Sequence, residues 1–162
     1  MRRFIIFLFL LLCCIQKGDL VEKIRSNPDE YLYPFDGFRY DNISVELKDE
    51  TIYVKATCSE LEGEDIYVFV NENGTLTLRS YCLEALPKVV KMRAVEIAMS
   101  NETIGRNAEG VVTVRRILPH TSAKFYIPKV LFSVTWHEER VVSALVDLDE
   151  GKVVRVYVSG YS

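Results

Sequence analysis

The stretch "VLFSVTWHEERVVSALVDLDEGKVVRVYV", residues 130–158, decides the fold because it has the pattern of three consecutive β-strands. In each strand apolar residues alternate with mostly polar ones, which is the period of a half-buried strand. The apolar set is Val130, Phe132, Val134, Trp136, then Val142, Ala144, Val146, Leu148, then Val154, Val156, Val158. The opposite set includes Ser133, Thr135, His137, Ser143, Asp147 and Arg155. We therefore predict an antiparallel meander with one face against a core and the other in water.

The segment from Asp147 to Gly151 has two interpretations, a calcium loop or the turn of a β-hairpin. A calcium-binding EF loop needs a glycine at its sixth position and a bidentate glutamate at its twelfth. Counted from Asp147, Gly151 falls at the fifth position and Val158 at the twelfth. The spacing favours a hairpin, in which Gly151 supplies a positive φ and Asp149 accepts hydrogen bonds from nearby backbone N–H groups. We predict no metal site here.

Upstream of the meander, "KVVKMRAVEIAMS" (88–100) is the one convincing helix. It is apolar around most of its circumference, which predicts that it is covered on most sides. A second half-turn is predicted to begin with Ser100 as N-cap and to end at Gly105. The segment "GVVTVRRIL" (110–118) then predicts a further strand.

The N-terminal half of the chain is predicted to be rich in β-structure. A short helix is expected within 19–27, followed by an aromatic connecting segment at 31–40 that either covers a sheet edge or forms a binding strip. Strands are predicted at 42–48, 51–58, 65–70 and 75–82. Tight turns are expected at Asp49-Glu50 and at Asn73-Gly74, the latter a strong hairpin signal.

The C-terminal half, from about residue 86 to 159, resembles a PepSY-like domain. The resemblance is carried by "KVVKMRAVEIAMSNETIGR", by "GVVTVRRI" and by the terminal hairpin "ALVDLDEGKV". It implies an α+β fold, with a main helix packed on a curved antiparallel β-sheet, here preceded by the β-rich half at 19–85. It also implies an exported module that docks on other proteins, such as inhibitors or chaperones of secreted peptidases. The family supplies no catalytic residues, and the N-terminal half does not match it.

Residues 1–18 have the layout of a secretory signal peptide or N-terminal anchor. A basic start precedes the apolar run 4–15, which is shorter than the ~20 residues that span a bilayer. Plain secretion, lipidation at Cys14 and an uncleaved anchor all remain open. We therefore expect an extracytoplasmic protein, secreted or held at the outer face of the cytoplasmic membrane, that meets the membrane only through this segment.

The remaining cysteines and the glycosylation sequons follow from the predicted export. Cys58 and Cys82 are predicted to form a disulfide, with two buried thiols as the alternative. Candidate glycosylation sites are Asn42, Asn73 and Asn101, of which the last two also suit turn or cap roles.

Composition excludes several classes of function. Without Arg2, Arg3 and Lys17 the chain has 17 basic residues against 23 acidic ones and no basic cluster, so nucleic acid is not an expected partner. The histidines, His120 and His137, lack the spacing of a zinc site. There is no recognisable nucleophile context and no phosphate-binding glycine loop, so no catalytic, cofactor-binding or metal-binding residue is predicted. Scarce glutamine suggests a thermophilic source.

These observations predict a non-enzymatic binding module rather than an enzyme. Its expected partner is another exported or envelope protein, such as a peptidase that it modulates or inhibits. The alternative is a structural protein of the cell envelope, anchored by its N-terminus.

Overall fold

The computed structural model describes residues 20–72, 74–138 and 140–160. The predicted signal 1–18, Cys14 within it, and Asn73 lie outside the described residues. The helices are α1 (20–26), α2 (Pro28–Tyr31), α3 (Lys88–Met99), α4 (Glu102–Asn107) and α5 (Pro119–Ser122). The strands are β1 (Asn42–Lys48), β2 (Thr51–Thr57), β3 (Asp65–Glu72), β4 (Thr75–Leu83), β5 (Val111–Ile117), β6 (Leu131–His137), β7 (Arg140–Asp147) and β8 (Lys152–Gly160).

The eight strands are hydrogen-bonded in chain order, from β1 to β8, in one open antiparallel sheet. The predicted α+β class, a main helix packed on a curved sheet, is therefore wrong, because the chain is mostly sheet with a few short helices. The physical reason lies in α3, which buries only Ala94, Ile97 and Ala98. Such a narrow stripe cannot organise the fold, and the strands are held chiefly by their neighbours.

The chain divides into two compact units. Unit 1 comprises Met1–Ser59 and Glu64–Tyr81, and unit 2 comprises Glu60–Gly63 and Cys82–Ser162.

Unit 1 buries one face of β2 and one face of β3. Alternate residues Ile52, Val54 and Ala56 of β2 are buried, and Cys58 continues that face, as its phase predicts. The turn at Asp49 is the predicted tight hairpin turn, with a φ of 56°. Period-two burial next to a two-residue turn is what the sequence pattern of β1 and β2 requires.

The aromatic segment 31–40 packs on β3 rather than forming an exposed strip. The ring of Tyr31 meets that of Phe69 edge-on at a centroid distance of 6.5 Å. Tyr40 Oη donates to the buried Asp65 carboxylate at 2.5 Å and lies 2.6 Å from Tyr67 Oη. Burial, the Tyr67 phenol and the Asp65 carboxylate together raise the pKa of Tyr40 far above its usual value. These contacts give the segment a structural role.

Unit 2 contains the predicted meander, and its apolar phase is confirmed for β6 and β7. Buried cross-strand pairs are Phe132↔Val146, Val134↔Ala144 and Trp136↔Val142. On the opposite face of β7 the side chains of Leu145 and Asp147 are buried as well, and Asp147 is fully buried. The prediction that Asp147 faces water is therefore wrong. The register shift between β7 and β8 places its extra residue, Val154, in β8, so Asp147 stays on the face of Leu145, where contacts with Lys129 and the Glu150 N–H cover its carboxylate.

The turn between β7 and β8 is the predicted hairpin. Asp147 pairs with Lys152 across it, and Gly151 has a φ of 62°. The Glu150 N–H donates to Asp147 Oδ1 at 3.1 Å, a role that the sequence had suggested for Asp149. Asp147 also contacts Lys129 Nζ, which lies 3.0 Å from Glu150 Oε1. These bonds raise the pKa of Lys129.

For this hairpin we expect Gly151→Val to destabilise the fold by about 1–3 kcal/mol, because a β-branched residue is strained at positive φ. The nearest atom to a Cβ added there is Arg93 Nη2 at 3.9 Å, so the cost comes from the backbone and not from a clash. Asp149→Ala, on an exposed side chain, should cost less than about 1 kcal/mol. Thermal melting with calcium and with chelator measures both. The hairpin interpretation would be contradicted if chelator lowered the melting temperature of the unchanged protein but not that of Asp149→Ala.

Candidate functional site

Helix α3 leaves much of its apolar surface in solvent. Its side chains are apolar around most of the helix, yet Val89 is 73% exposed and Met92 is 55% exposed. The prediction that this helix is covered on most sides is therefore wrong. Exposed apolar side chains grouped on one element mark a candidate interaction surface.

Strand β5 is paired along one side and largely open on the other. It pairs with β6 from Val111 to Ile117, whereas β4 meets it only where Leu83 pairs with Arg116. In the described chain no strand pairs with the other side of residues 111–115. An open strand side presents unpaired backbone N–H and C=O groups.

The segment around residue 62 explains why β4 does not continue alongside β5. Glu62 and Leu86 exchange two backbone hydrogen bonds, each of 3.2 Å, which draw the chain after Leu83 away from β5. Gly63 makes this approach possible, because a Cβ there would lie 2.6 Å from the Glu84 backbone oxygen. Lys91 Nζ donates to the Glu62 carbonyl at 2.7 Å and ties the segment to α3.

Between α3 and β5 lies a cleft of about 490 Å³, named here the α3–β5 cleft. This volume is within the range of about 300–1,000 Å³ that is usual for ligand sites. Its lining residues are Glu62, Glu84, Lys88, Lys91, Met92, Val95, Glu96, Val112, Thr113 and Val114, all in unit 2. Apolar side chains from both elements thus form a surface surrounded by charged groups.

Most carboxylates of the cleft are neutralised within the chain, whereas its two lysines are not. Glu84 accepts from Arg115 Nε at 2.7 Å, and this bond raises the pKa of the Arg115 guanidinium. Glu96 lies 3.6 Å from Arg93. In the described chain no carboxylate forms an ion pair with the two lysines of the lining, and Glu62 is the one lining carboxylate without a cation. The three lining glutamates are therefore faced by four cations, Lys88, Lys91, Arg93 and Arg115, of which the two lysines form no ion pair within the described chain.

The lining suits binding better than a chemical step. The described residues contain no group of three His, Cys, Asp or Glu side chains placed to hold a metal ion. His137 lies at the end of β6, and His120 lies in α5 rather than in the predicted loop. Neither histidine lines the cleft. Tyr40, whose pKa is strongly raised, belongs to unit 1 and does not line it either. What the cleft offers is apolar surface, an open strand side and two cations.

The two cysteines of the predicted disulfide, Cys58 and Cys82, do not line this cleft. Cys58 is buried after β2, and the Cys82 Sγ in β4 donates to Glu84 Oε1 at 3.5 Å. Neither cysteine forms a disulfide in the structure, and their pairing in the exported protein stays a prediction. Cys14 lies outside the described residues.

The sequons occupy different environments. Asn42 is exposed at the start of β1. Asn101 Oδ1 accepts from the N–H groups of Thr103 and Ile104 and caps α4, a role that had been predicted for Ser100. Asn73 lies outside the described residues. Modification of any of the three stays a prediction.

Sequence reasoning missed Met92 and Val112 as surface residues. The available signal was the excess of apolar side chains on α3, more than one sheet face can cover. That excess was interpreted as deep burial, although an apolar helix with only one face against a sheet has the same pattern.

In the described part of the chain no helix combines the length and apolarity needed to cross a membrane. Comparison with known proteins gives no match, since neither a family model, nor a curated protein, nor a solved structure matches this chain.

Proposed function

We propose that this chain is an exported, non-enzymatic protein-binding module and that the α3–β5 cleft is its binding surface. The observation that carries the proposal is the exposure of Met92 (55%) and Val112 (39%), from two different elements, in one cleft. Burying such apolar surface against a partner contributes roughly 25 cal/mol per Å² before the costs of association.

The proposed partner is another exported or envelope protein. The signal-like layout of residues 1–18 supports an extracytoplasmic place of action. The resemblance of residues 86–159 to PepSY-like domains supports docking on such a protein, including a secreted peptidase that is modulated or inhibited. The role of the cleft can be tested separately from the place of action and from the resemblance.

The test compares Met92→Glu with Met99→Glu in the full chain. Both methionines are exposed on α3, but only Met92 lines the cleft. We expect an exported partner to co-purify with the unchanged protein and with Met99→Glu, and to be lost from Met92→Glu. A charge placed in an apolar contact removes most of its affinity. Melting temperatures of both variants should stay close to that of the unchanged protein, because both side chains face solvent.

Two outcomes would overturn the proposal. Retention of the partner by Met92→Glu would remove the cleft from the interaction. Absence of a stoichiometric partner, with the chain found in the envelope fraction whichever variant is used, would favour the structural envelope protein instead.

A further inference from the structure

The open side of β5 gives the cleft one boundary made of backbone. Residues 111–115 are paired only with β6, and the chain that could have covered their other side is drawn off by the Glu62–Leu86 bridge. On such a side, alternate peptide groups direct their N–H and C=O away from the sheet. An extended segment can pair with them and lengthen the sheet by one strand. Five residues of β5 offer roughly 16 Å of strand for this pairing.

The side chains of β5 determine which residues of an added strand would enter the cleft. Val112 and Val114 pair with Trp136 and Val134, so they lie on the buried face of the sheet. An added strand places every second side chain on that same face, in the space lined by Met92. The occupant should therefore have apolar side chains at alternate positions.

The charge at the start of α3 indicates that the occupant also has an acidic side chain. Lys88 and Lys91 lie in the first turn, which contains no acidic residue, and Pro87 at the N-cap makes no side-chain capping bond. The positive end of the helix dipole adds to the two lysines. With Glu84 paired to Arg115, the one lining carboxylate left without a cation is Glu62, so an acidic side chain on the occupant would find two lysines against one carboxylate here.

Building on the proposed function, we infer that the α3–β5 cleft binds an extended segment of the partner by strand addition to β5. Alternate apolar side chains of the segment enter the cleft, and an acidic side chain lies by Lys88 and Lys91. The inference deepens the proposed function by assigning a mode of recognition and the chemistry of the recognised segment.

The first experiment selects a displayed library of random heptapeptides on the full chain and on two variants. Val112→Asp places a charge in the cleft, whereas Val111→Asp places one on the opposite face of the same strand, where Val111 is 71% exposed. We expect peptides with alternate apolar residues and an acidic residue to be enriched on the unchanged protein and on Val111→Asp. Enrichment should be lost on Val112→Asp, and Met92→Glu gives the same test should Val112→Asp fail to fold.

The second experiment distinguishes strand addition from simple apolar contact. The most enriched peptide is synthesised with N-methyl groups on its odd or on its even residues, and binding is followed by fluorescence anisotropy. In a paired strand only alternate N–H groups face the neighbour, so one set should weaken binding about tenfold or more. The other set should change it less than about threefold. Replacing the acidic residue by its amide should also weaken binding to the unchanged protein, but not to Lys88→Gln.

The outcomes separate this inference from the proposed function. Equal effects of the two N-methylated sets, enrichment of basic peptides, or no enrichment would overturn strand addition by an acidic segment. A co-purified partner that still depends on Met92 would then leave the proposed function standing. A dimer of the chain alone in sedimentation, lost in Val112→Asp, would make a second copy the occupant and would also overturn the inference.

Discussion

Replacing Lys129 by Met should lower the melting temperature by roughly 10 °C, the largest effect that we expect. The substitution leaves the Asp147 carboxylate fully buried at the end of β7 without the ammonium that contacts it. Removing one partner of a buried ion pair is strongly destabilising, since the remaining charge is neither hydrated nor compensated. Calorimetry of purified protein near neutral pH measures the loss.

A double-variant cycle tests whether the unpaired charge of Asp147 causes the loss of stability. Asp147→Asn keeps the size of the side chain and an acceptor for the Glu150 N–H while it removes the charge. We expect Lys129→Met combined with Asp147→Asn to be more stable than Lys129→Met alone. Lys152→Met, which removes the contacts of an exposed ammonium with Glu150 and Tyr126 and leaves Asp147 paired with Lys129, serves as the control and should have little effect. A double variant no more stable than Lys129→Met would show that the lysine stabilises through packing of its stem.

The second large effect is expected in unit 1, where Tyr40→Phe should cost about 3 kcal/mol. The hydroxyl lost in this variant donates to the buried Asp65 carboxylate at 2.5 Å and lies 2.6 Å from Tyr67 Oη. A hydrogen bond to a charged group contributes more than a neutral one, and a buried acceptor that loses it is costly. Urea unfolding measures the change. Tyr53→Phe, at an exposed tyrosine of β2, is the matched control and should be close to neutral.

The same tyrosine makes the fold sensitive to alkaline pH. Because the folded state raises the pKa of Tyr40, the unfolded chain loses this proton first as the pH increases. The contribution of the Tyr40 hydroxyl to the free energy of unfolding is fully present below the pKa of an unfolded tyrosine, near 10, and declines as the pH rises beyond that value. The raised pKa of Lys129 acts in the same direction. Tyr40→Phe should therefore show a shallower loss of stability above pH 10, and an unchanged slope would assign the alkaline loss to other groups.

Much of the local structure could be predicted from residue patterns. Period-two alternation predicted β6 and β7 with the correct buried faces, because a strand with one face in a core can keep only one phase. The length and spacing of 88–100 predicted α3, and Gly151 predicted the last turn. These features depend on the conformational preferences of residues that are neighbours in the chain, and these preferences can be inferred from the sequence.

The candidate site could not be predicted in this way. Whether Met92 is buried or exposed depends on how much of α3 the sheet covers, and no local pattern contains that information. The open side of β5 depends on the bridge between Glu62 and Leu86, two residues far apart in the chain.

What the sequence by itself determined is the set of strands, the helix α3 and the turns at Asp49 and Gly151, since each follows from the conformational and solvent preferences of adjacent residues, whereas the short helices α2 and α5 were not predicted. The tertiary structure alone decided that the strands form one sheet in chain order rather than serving as a platform for a main helix. It also buried Asp147 on the face that the pattern had assigned to water and paired it with Lys129. Both features depend on pairing between segments that are distant in the chain. The free energy of that pairing cannot be inferred from the alternation of residues within any single strand.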